Sequence, residues 1–413
     1  MVRTVLLCLI IVWTACAQAG DWPQILGPHR NGVADESERI SVDWPGGRPA
    51  EVWSRPVGSG FAGPAVRDGK VYQVHRQGQE LILDCFDAKS GKRLWDVRHP
   101  CEYVPTISYD DGPRCVPVVT EKLVITFGPA GTLQAVDVEE GDVRWRVNTH
   151  EQYEAPDGYF GAGSSPIVIG DRVIVNVGGK RSEAGLVAFS LKDGKELWKA
   201  TSEEASYSSP VVTSFGDRPA VIVVTRLQCF AVDPADGSVL FQFPFGKRGP
   251  TVNAANPVVN GNKLFLTASY GIGAVYGTFT KTGFTPAWQS DELISSQYTT
   301  PIVHEGYLYG VHGRQDAGFA ELRCLDLKRQ KVLWSKRLPD YGTLLLADGK
   351  LLVTTVDGSL LVVSPNPKEY KVLATAKVQA ATEGGLALPA MSNGRLYLRD
   401  GKALRCLELG KSE

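Results

Sequence analysis

This 413-residue chain has little of what catalysis usually needs. It holds six histidines, His29, His75, His99, His150, His304 and His312. No H-E-x-x-H or H-x-H spacing joins any of them, so the common metalloprotease signature is excluded. His304 and His312 flank the strand Tyr307-Leu308-Tyr309 and read as strand-end imidazoles rather than as a metal pair. No C-x-x-C occurs, which removes the usual zinc and thioredoxin-like motifs. No G-x-S-x-G elbow and no G-x-x-x-x-G-K-[ST] loop is present. Lys and Arg number 44 against 45 Asp and Glu, a net charge of −1 that provides no strong surface for nucleic acid. Beyond the first residues no apolar run approaches the roughly 20 residues of a membrane helix. Calcium needs about six to eight oxygen ligands, and no spacing nominates six; no metal site is expected.

What the chain does have is a repeat. Asp87-Ala88-Lys89-Ser90-Gly91-Lys92-Arg93-Leu94-Trp95 returns as Asp137-Val138-Glu139-Glu140-Gly141-Asp142-Val143-Arg144-Trp145. It returns again as Ser190 to Trp198, as Asp233 to Phe241, and as Asp326 to Trp334, where Gln330 replaces the Gly. The aromatics from Trp95 to Phe241 are spaced by 50, 53 and 43 residues. Strand-rich units of about 40–50 residues indicate a propeller or solenoid. A second phrase precedes each copy: Pro, two apolar residues, a tight turn and an alternating run, as in Pro64-Ala65-Val66-Arg67-Asp68-Gly69-Lys70-Val71-Tyr72. Asp-Gly or Asn-Gly between apolar strands is the strongest short hairpin signal.

Units begin near Pro64, Pro117, Pro166, Pro210, Pro257, Pro301, Leu344 and Pro389, which makes eight. The last has no Trp strand. Near the start, Glu51-Val52-Trp53-Ser54 is a Trp strand with nothing before it. The expected fold is therefore all-β: an eight-bladed propeller of four-stranded antiparallel blades over residues 51–413, closed by the N-terminal strand joining the C-terminal blade. Residues 20–50 form an N-terminal extension. Trp53, Trp95, Trp145, Trp198 and Trp334 are assigned to packing between blades.

Residues 1–19 read as a cleaved signal peptide: a basic start, an apolar core from Val5 to Val12 and Ala17-Gln18-Ala19 before Gly20. Acylation at Cys16 is the competing reading. Either exports the chain to the periplasm or cell envelope, as a monomer with no transmembrane span. Cys85, Cys229, Cys324 and Cys406 are placed at one repeat position as small buried hydrophobes. Cys101 and Cys115 flank a loop, and an oxidising compartment permits a disulfide between them.

The Leu-x-Ala-x-Asp-x-x-x-Gly-x-x-x-Trp repeat resembles the PQQ-like propeller family, the quinoprotein alcohol dehydrogenase type, over most of residues 50–409. The opening Asp21-Trp22-Pro23-Gln24-Ile25-Leu26-Gly27-Pro28 resembles the leader of exported propellers of planctomycete-type bacteria. Two functions follow from the resemblance. The catalytic branch implies pyrroloquinoline quinone polarised by calcium, an Asp base, a Trp beneath the quinone and a disulfide of adjacent cysteines. This chain has no adjacent pair, and offers only scattered oxygens such as Glu154, Asn253 and Asn256. The non-catalytic branch, the barrel-assembly (BamB-like) propellers, implies a scaffold for envelope proteins. Its Leu-x-Leu-Arg-Gly partner loop is absent, and Glu204-Ala205-Ser206-Tyr207-Ser208-Ser209-Pro210 stands there.

The segments entering each first strand converge on the propeller axis. They carry Phe61, Arg114, Tyr159, Phe160, Tyr207, Asn253, Asn256, Gln297, Tyr298 and Tyr341, with Glu383 before the last blade. Aromatics, amides and an Arg at one rim suit a small polar ligand or a peptide loop; a rim that merely plugs the channel is the other reading. The expected function is an exported, non-catalytic scaffold or ligand-binding module needing no cofactor. The alternative is a dehydrogenase dependent on quinone and calcium.

Overall fold

The computed structural model describes residues 20–107, 110–381 and 387–410. The proposed signal peptide, Cys16 and Glu383 lie outside the described residues. The strands form eight four-stranded antiparallel sheets. Blade 1 is Ala65–Arg67, Lys70–Gln77, Glu80–Asp87 and Arg93–Pro100; blades 2 to 7 repeat that order. First strands touch the first strands of neighbouring blades, so they line the axis. Blade 8 takes Ala390–Ser392, Arg395–Arg399 and Ala403–Glu408 from the end of the chain and Ala50–Pro56 from its start. Trp53 pairs with Cys406 and Arg55 with Leu404, as the orphan Trp strand foretold.

The Gly and the Trp of the repeat are two halves of one joint. Asp87 turns the chain by accepting the Ser90 amide on its carboxylate at 2.7 Å, and Gly91 N–H returns to the Asp87 carbonyl at 2.8 Å. Gly91, Gly141, Gly194 and Gly237 all take positive φ, which glycine adopts without strain. A methyl group on them would lie 2.5–2.9 Å from the rings of Trp53, Trp95, Trp145 and Trp198, the tryptophans of the preceding blades. Each indole then donates to a carbonyl of that same turn: Trp53 to Ala88 at 3.0 Å, Trp145 to Leu191 at 2.9 Å, Trp198 to Pro234 at 3.0 Å. Trp288 reaches Leu327 and Trp334 reaches Asn366 in the same way.

The irregular copies are coupled. Blade 5 joins its outer strands Gly273–Thr280 and Gly283–Ser290 by a tight hairpin, so it offers blade 4 no such turn. Blade 4 correspondingly ends in Phe241, which packs against Phe215, Phe243 and Phe279 instead.

One cysteine assignment fails. The residue opposite the docking aromatic is Cys85, Ala135, Ala188, Ala231, Cys324 or Cys406 in six blades and Tyr276, opposite Trp288, in blade 5. Cys229 lies two residues earlier, on the same face of its strand but opposite Phe243. The Cys101–Cys115 bridge is not formed either: both are free and buried. They belong to different packing clusters, and Cys115 Sγ turns toward the Ala162 carbonyl at 3.6 Å.

The extension is packed on the ring. Trp22 exchanges two backbone hydrogen bonds with Val66 of blade 1, and the Pro23 carbonyl accepts from Val119 of blade 2. The buried Arg30 guanidinium donates to the Ser165 and Pro166 carbonyls at the entry to blade 3. Gly32 and Ala34 bond to Leu346 of blade 7. Glu38 accepts from the Asn393 and Gly394 amides of blade 8, each at 2.7 Å. No helix among the described residues is long and apolar enough to cross a membrane.

Candidate functional site

The rim residues do come together, and they divide into two groups. The first is consumed by structure. Just before the first-strand prolines runs a belt of hydrogen bonds from blade to blade. Val116 N–H donates to Ser165 Oγ at 2.8 Å, Ser165 N–H to Ser209 Oγ at 2.9 Å, Ser209 N–H to Asn256 Oδ1 at 2.7 Å, and Asn256 N–H to Thr300 Oγ1 at 2.9 Å. Buried amides need such partners. The signal was legible as a short polar residue before proline, but it marks architecture. Asn253 is a second junction: its carbonyl accepts from Tyr207 and Ser208, and its Nδ2 donates to Thr225 and Phe245 carbonyls. The Tyr341 hydroxyl, fully buried, accepts the Gln297 and Tyr298 amides at 2.9 and 3.1 Å. The Tyr207 hydroxyl accepts the Phe160 amide at 2.8 Å.

The second group faces outward around two adjoining clefts. Cleft one, about 720 Å³, lies between Tyr159, Phe160, Tyr270, His312, Arg314 and Phe319. Cleft two, about 510 Å³, lies between His150, Asp157, Tyr159, Asn176, Tyr207 and Arg226. Both are built from loops entering blades and from loops joining second and third strands. Tyr159 and Val252 belong to both walls.

Arginine–aromatic stacks recur here. Arg114 sits 5.3 Å from the centroids of both Phe61 and Phe160. Arg226 covers Tyr159 at 5.4 Å, Arg314 covers Tyr270 at 4.5 Å and Arg337 covers Phe319 at 4.6 Å. A guanidinium over a ring is attracted by its quadrupole and fixes its tilt. Arg114 is mostly buried, donates to the Gly112 carbonyl at 3.3 Å and approaches Asp110 at 4.0 Å. It is a wedge between these aromatics. Gln297 braces the far wall by donating to Tyr270 and Asp316, while Asp316 pairs with Arg314. Tyr298 donates to Gln315 at 2.9 Å.

Two histidines are set by their surroundings. Ser295 N–H donates to His312 Nδ1 at 3.0 Å, which leaves the ring proton of the neutral imidazole on Nε2. Burial and the nearby Arg323 hold its pKa down to about 4. Burial and Arg146 hold buried His99 down to about 4 also. Both favour the neutral ring in the fold. Their contribution is intact above the ordinary histidine value of about 6.5. It falls as pH drops toward 4, because the unfolded chain binds those protons first. The expected result is a melting temperature that declines between pH 6.5 and 4, with the slope reduced in His99→Gln and His312→Gln. Unchanged slopes in both variants would contradict it.

Sequence reasoning missed Asn176, Arg226, Tyr270 and Arg314, and it read His312 only as a strand-end imidazole. They sit at strand ends and in the loops between second and third strands, outside the repeat phrases.

With the geometry in place, the comparisons are specific. BamB from Shewanella oneidensis is 29% identical over 160 residues, covering 36% of this chain and 36% of that protein. BamB from Yersinia pestis is 22% identical over 315 residues, covering 63% and 75%. The quinohemoprotein alcohol dehydrogenase ADH-IIG of Pseudomonas putida is 27% identical over 146 residues, covering 33% of this chain but 19% of that enzyme. The chain thus spans about a third of the first of these relatives and a fifth of the enzyme. The crystal structure of BamB from Moraxella catarrhalis superposes with a TM-score of 0.63 at 16% identity, over 87% of this chain and all of that one. The model of the family described as outer membrane protein assembly factor BamB matches residues 79–336. The chain belongs to that family of eight-bladed propellers.

Proposed function

We propose that this propeller is a non-catalytic scaffold of the cell envelope that captures protein partners on the two-cleft face. One observation carries the reading: rings stacked under arginines line the clefts, Tyr159, Phe160, Tyr270 and Phe319 in cleft one and Tyr159 again in cleft two, on loops and strand ends held by a rigid ring. Tyr and Arg are the side chains that dominate protein interfaces, and loops on a rigid scaffold commonly carry function. The exposed Ile107 adds apolar surface to the wall of cleft one. Export by the signal peptide belongs to this reading, since an envelope scaffold must leave the cytoplasm.

The quinone alternative implies oxygen ligands for calcium and a Trp beneath the quinone. Of the oxygens that the resemblance offered, Asn256 Oδ1 already holds the Ser209 amide. No tryptophan lines either cleft. Neither cleft therefore offers the Trp floor that the resemblance implies for that cofactor.

Affinity capture from native envelope extract provides the test. Wild type should retain a defined set of proteins, and Tyr159→Ala combined with Tyr270→Ala should lose them with the fold intact. Equal capture by both would sink the assignment of this face.

A further inference from the structure

Cleft two contains one residue that the fold does not explain. Asn176 stands near the end of the blade 3 strand Arg172–Gly179 and is 2% exposed. Neither its Nδ2 nor its Oδ1 has a hydrogen-bond partner among the described residues. Leaving such a group unpartnered in a protein interior costs on the order of 1–3 kcal/mol. The strand register identifies its counterparts. Ile174 pairs with Ile167 as Tyr72 does with Ala65, Ile125 with Val118, Ile222 with Val211 and Tyr309 with Ile302. Two residues on from each lie Val74, Phe127, Val224 and Val311, all buried and apolar. In blade 5 the counterpart is Thr267, which accepts from the Ser296 amide, and in blade 8 it is Arg399, which donates to three carbonyls. Only in blade 3, among these seven, is a polar side chain placed there without use.

The backbone aims it. Pairing with the next strand breaks between Asn176 and Gly179, a bulge of the kind that redirects a side chain. Gly178 takes φ +81, and a methyl there would meet the Ala205 amide at 2.5 Å. The segment through Ala205 and Tyr207 is thereby laid close over this strand end. The amide is left at the base of a cleft walled by Tyr159 and Tyr207, with the His150–Asp157 pair (2.7 Å) and Arg226 also lining it.

A carboxamide offers one acceptor and two donors in one plane. Its complement is a donor and an acceptor that point the same way, which the N–H and C=O of one residue in an extended peptide supply. We infer that cleft two binds an extended peptide segment, with Asn176 pairing to its main chain and the tyrosines flanking its side chains. This rests on the scaffold reading and names the chemistry its partner would present. A local rule broken without structural gain is the mark expected of a functional position.

The experiment pans a random linear peptide library against the wild-type protein and against Asn176→Leu, which keeps the volume and matches the other blades. Peptides selected on wild type should bind the variant about tenfold or more weakly, the loss of a hydrogen-bonded pair. The variant should melt at or above wild type. On wild-type protein, an ester in place of one peptide bond of a selected peptide should weaken binding similarly, a measurement independent of the variant's folding. Equal peptide binding by the variant, no ester position that matters, or no peptides recovered at all would each overturn the inference. So would a variant that melts lower and binds equally, which would make Asn176 a structural residue solvated by water. Envelope capture retained alongside any of these failures would leave the scaffold standing with this cleft unassigned; capture lost from the wild type would remove the scaffold itself.

Discussion

Ending the chain at Lys402 abolishes the folded ring. That truncation removes the strand Ala403–Glu408, which sits between Arg395–Arg399 and the N-terminal strand Ala50–Pro56. Leu404, Leu407 and Leu409 are nearly completely buried. At roughly 1.5–3 kcal/mol each, their loss alone is comparable with the ~5–15 kcal/mol that holds a typical fold together. Two edge strands are also left unpaired, and exposed edges invite association. Thermal melting followed by circular dichroism should show no cooperative transition near that of the full chain. A truncated protein with the wild-type melting temperature would refute closure by this strand.

Trp145→Ala is the second large effect. The ring is buried over Gly194 and its N–H bonds the Leu191 carbonyl at 2.9 Å. Truncation of such a side chain costs about 3–5 kcal/mol. Trp145→Phe keeps most of the packing and forfeits the hydrogen bond, so a cost of about 1–3 kcal/mol is expected. Gly194→Ala attacks the same joint from the other blade. Its φ is +70, and the new methyl would lie 2.7 Å from the indole. Denaturant midpoints at constant m-value should rank the alanine at 145 as the worst, with Gly194→Ala also destabilising. A neutral Gly194→Ala would show that the Gly serves the turn alone or not at all.

The ring was readable from the chain because each unit repeats both halves of the joint. Turn residues and docking aromatic are local words, and their spacing counts blades directly. The orphan Trp53 strand even disclosed how the circle closes. Cys229 was misplaced because counting from the cysteine, not from the Asp at the turn, shifts the register by two. The rim was half legible. Position before a first strand gathered Tyr159, Phe160 and Tyr207, which line the clefts, but it could not separate side chains used up by backbone amides, such as Asn253, Asn256 and Tyr341, from those left facing solvent. That distinction lives in hydrogen bonds between blades, which have no periodic trace. Asn176 was hidden for the opposite reason: a lone Asn in Val175-Asn176-Val177 looks unremarkable until the pairing shows what its counterparts are.

The pairing of Ala50 with Glu408 joins strands from opposite ends of the propeller's sequence. A ribosome delivers the first of these strands long before the second. Throughout synthesis Ala50–Pro56 waits with its hydrogen-bonding edge open, while seven other blades can assemble behind it. Closing so wide a loop is entropically demanding, and contacts this distant in sequence form slowly. During that interval the same edge can be filled by the terminal strand of another copy. Refolding at high protein concentration should therefore yield exchanged dimers, and dilution should favour the closed monomer.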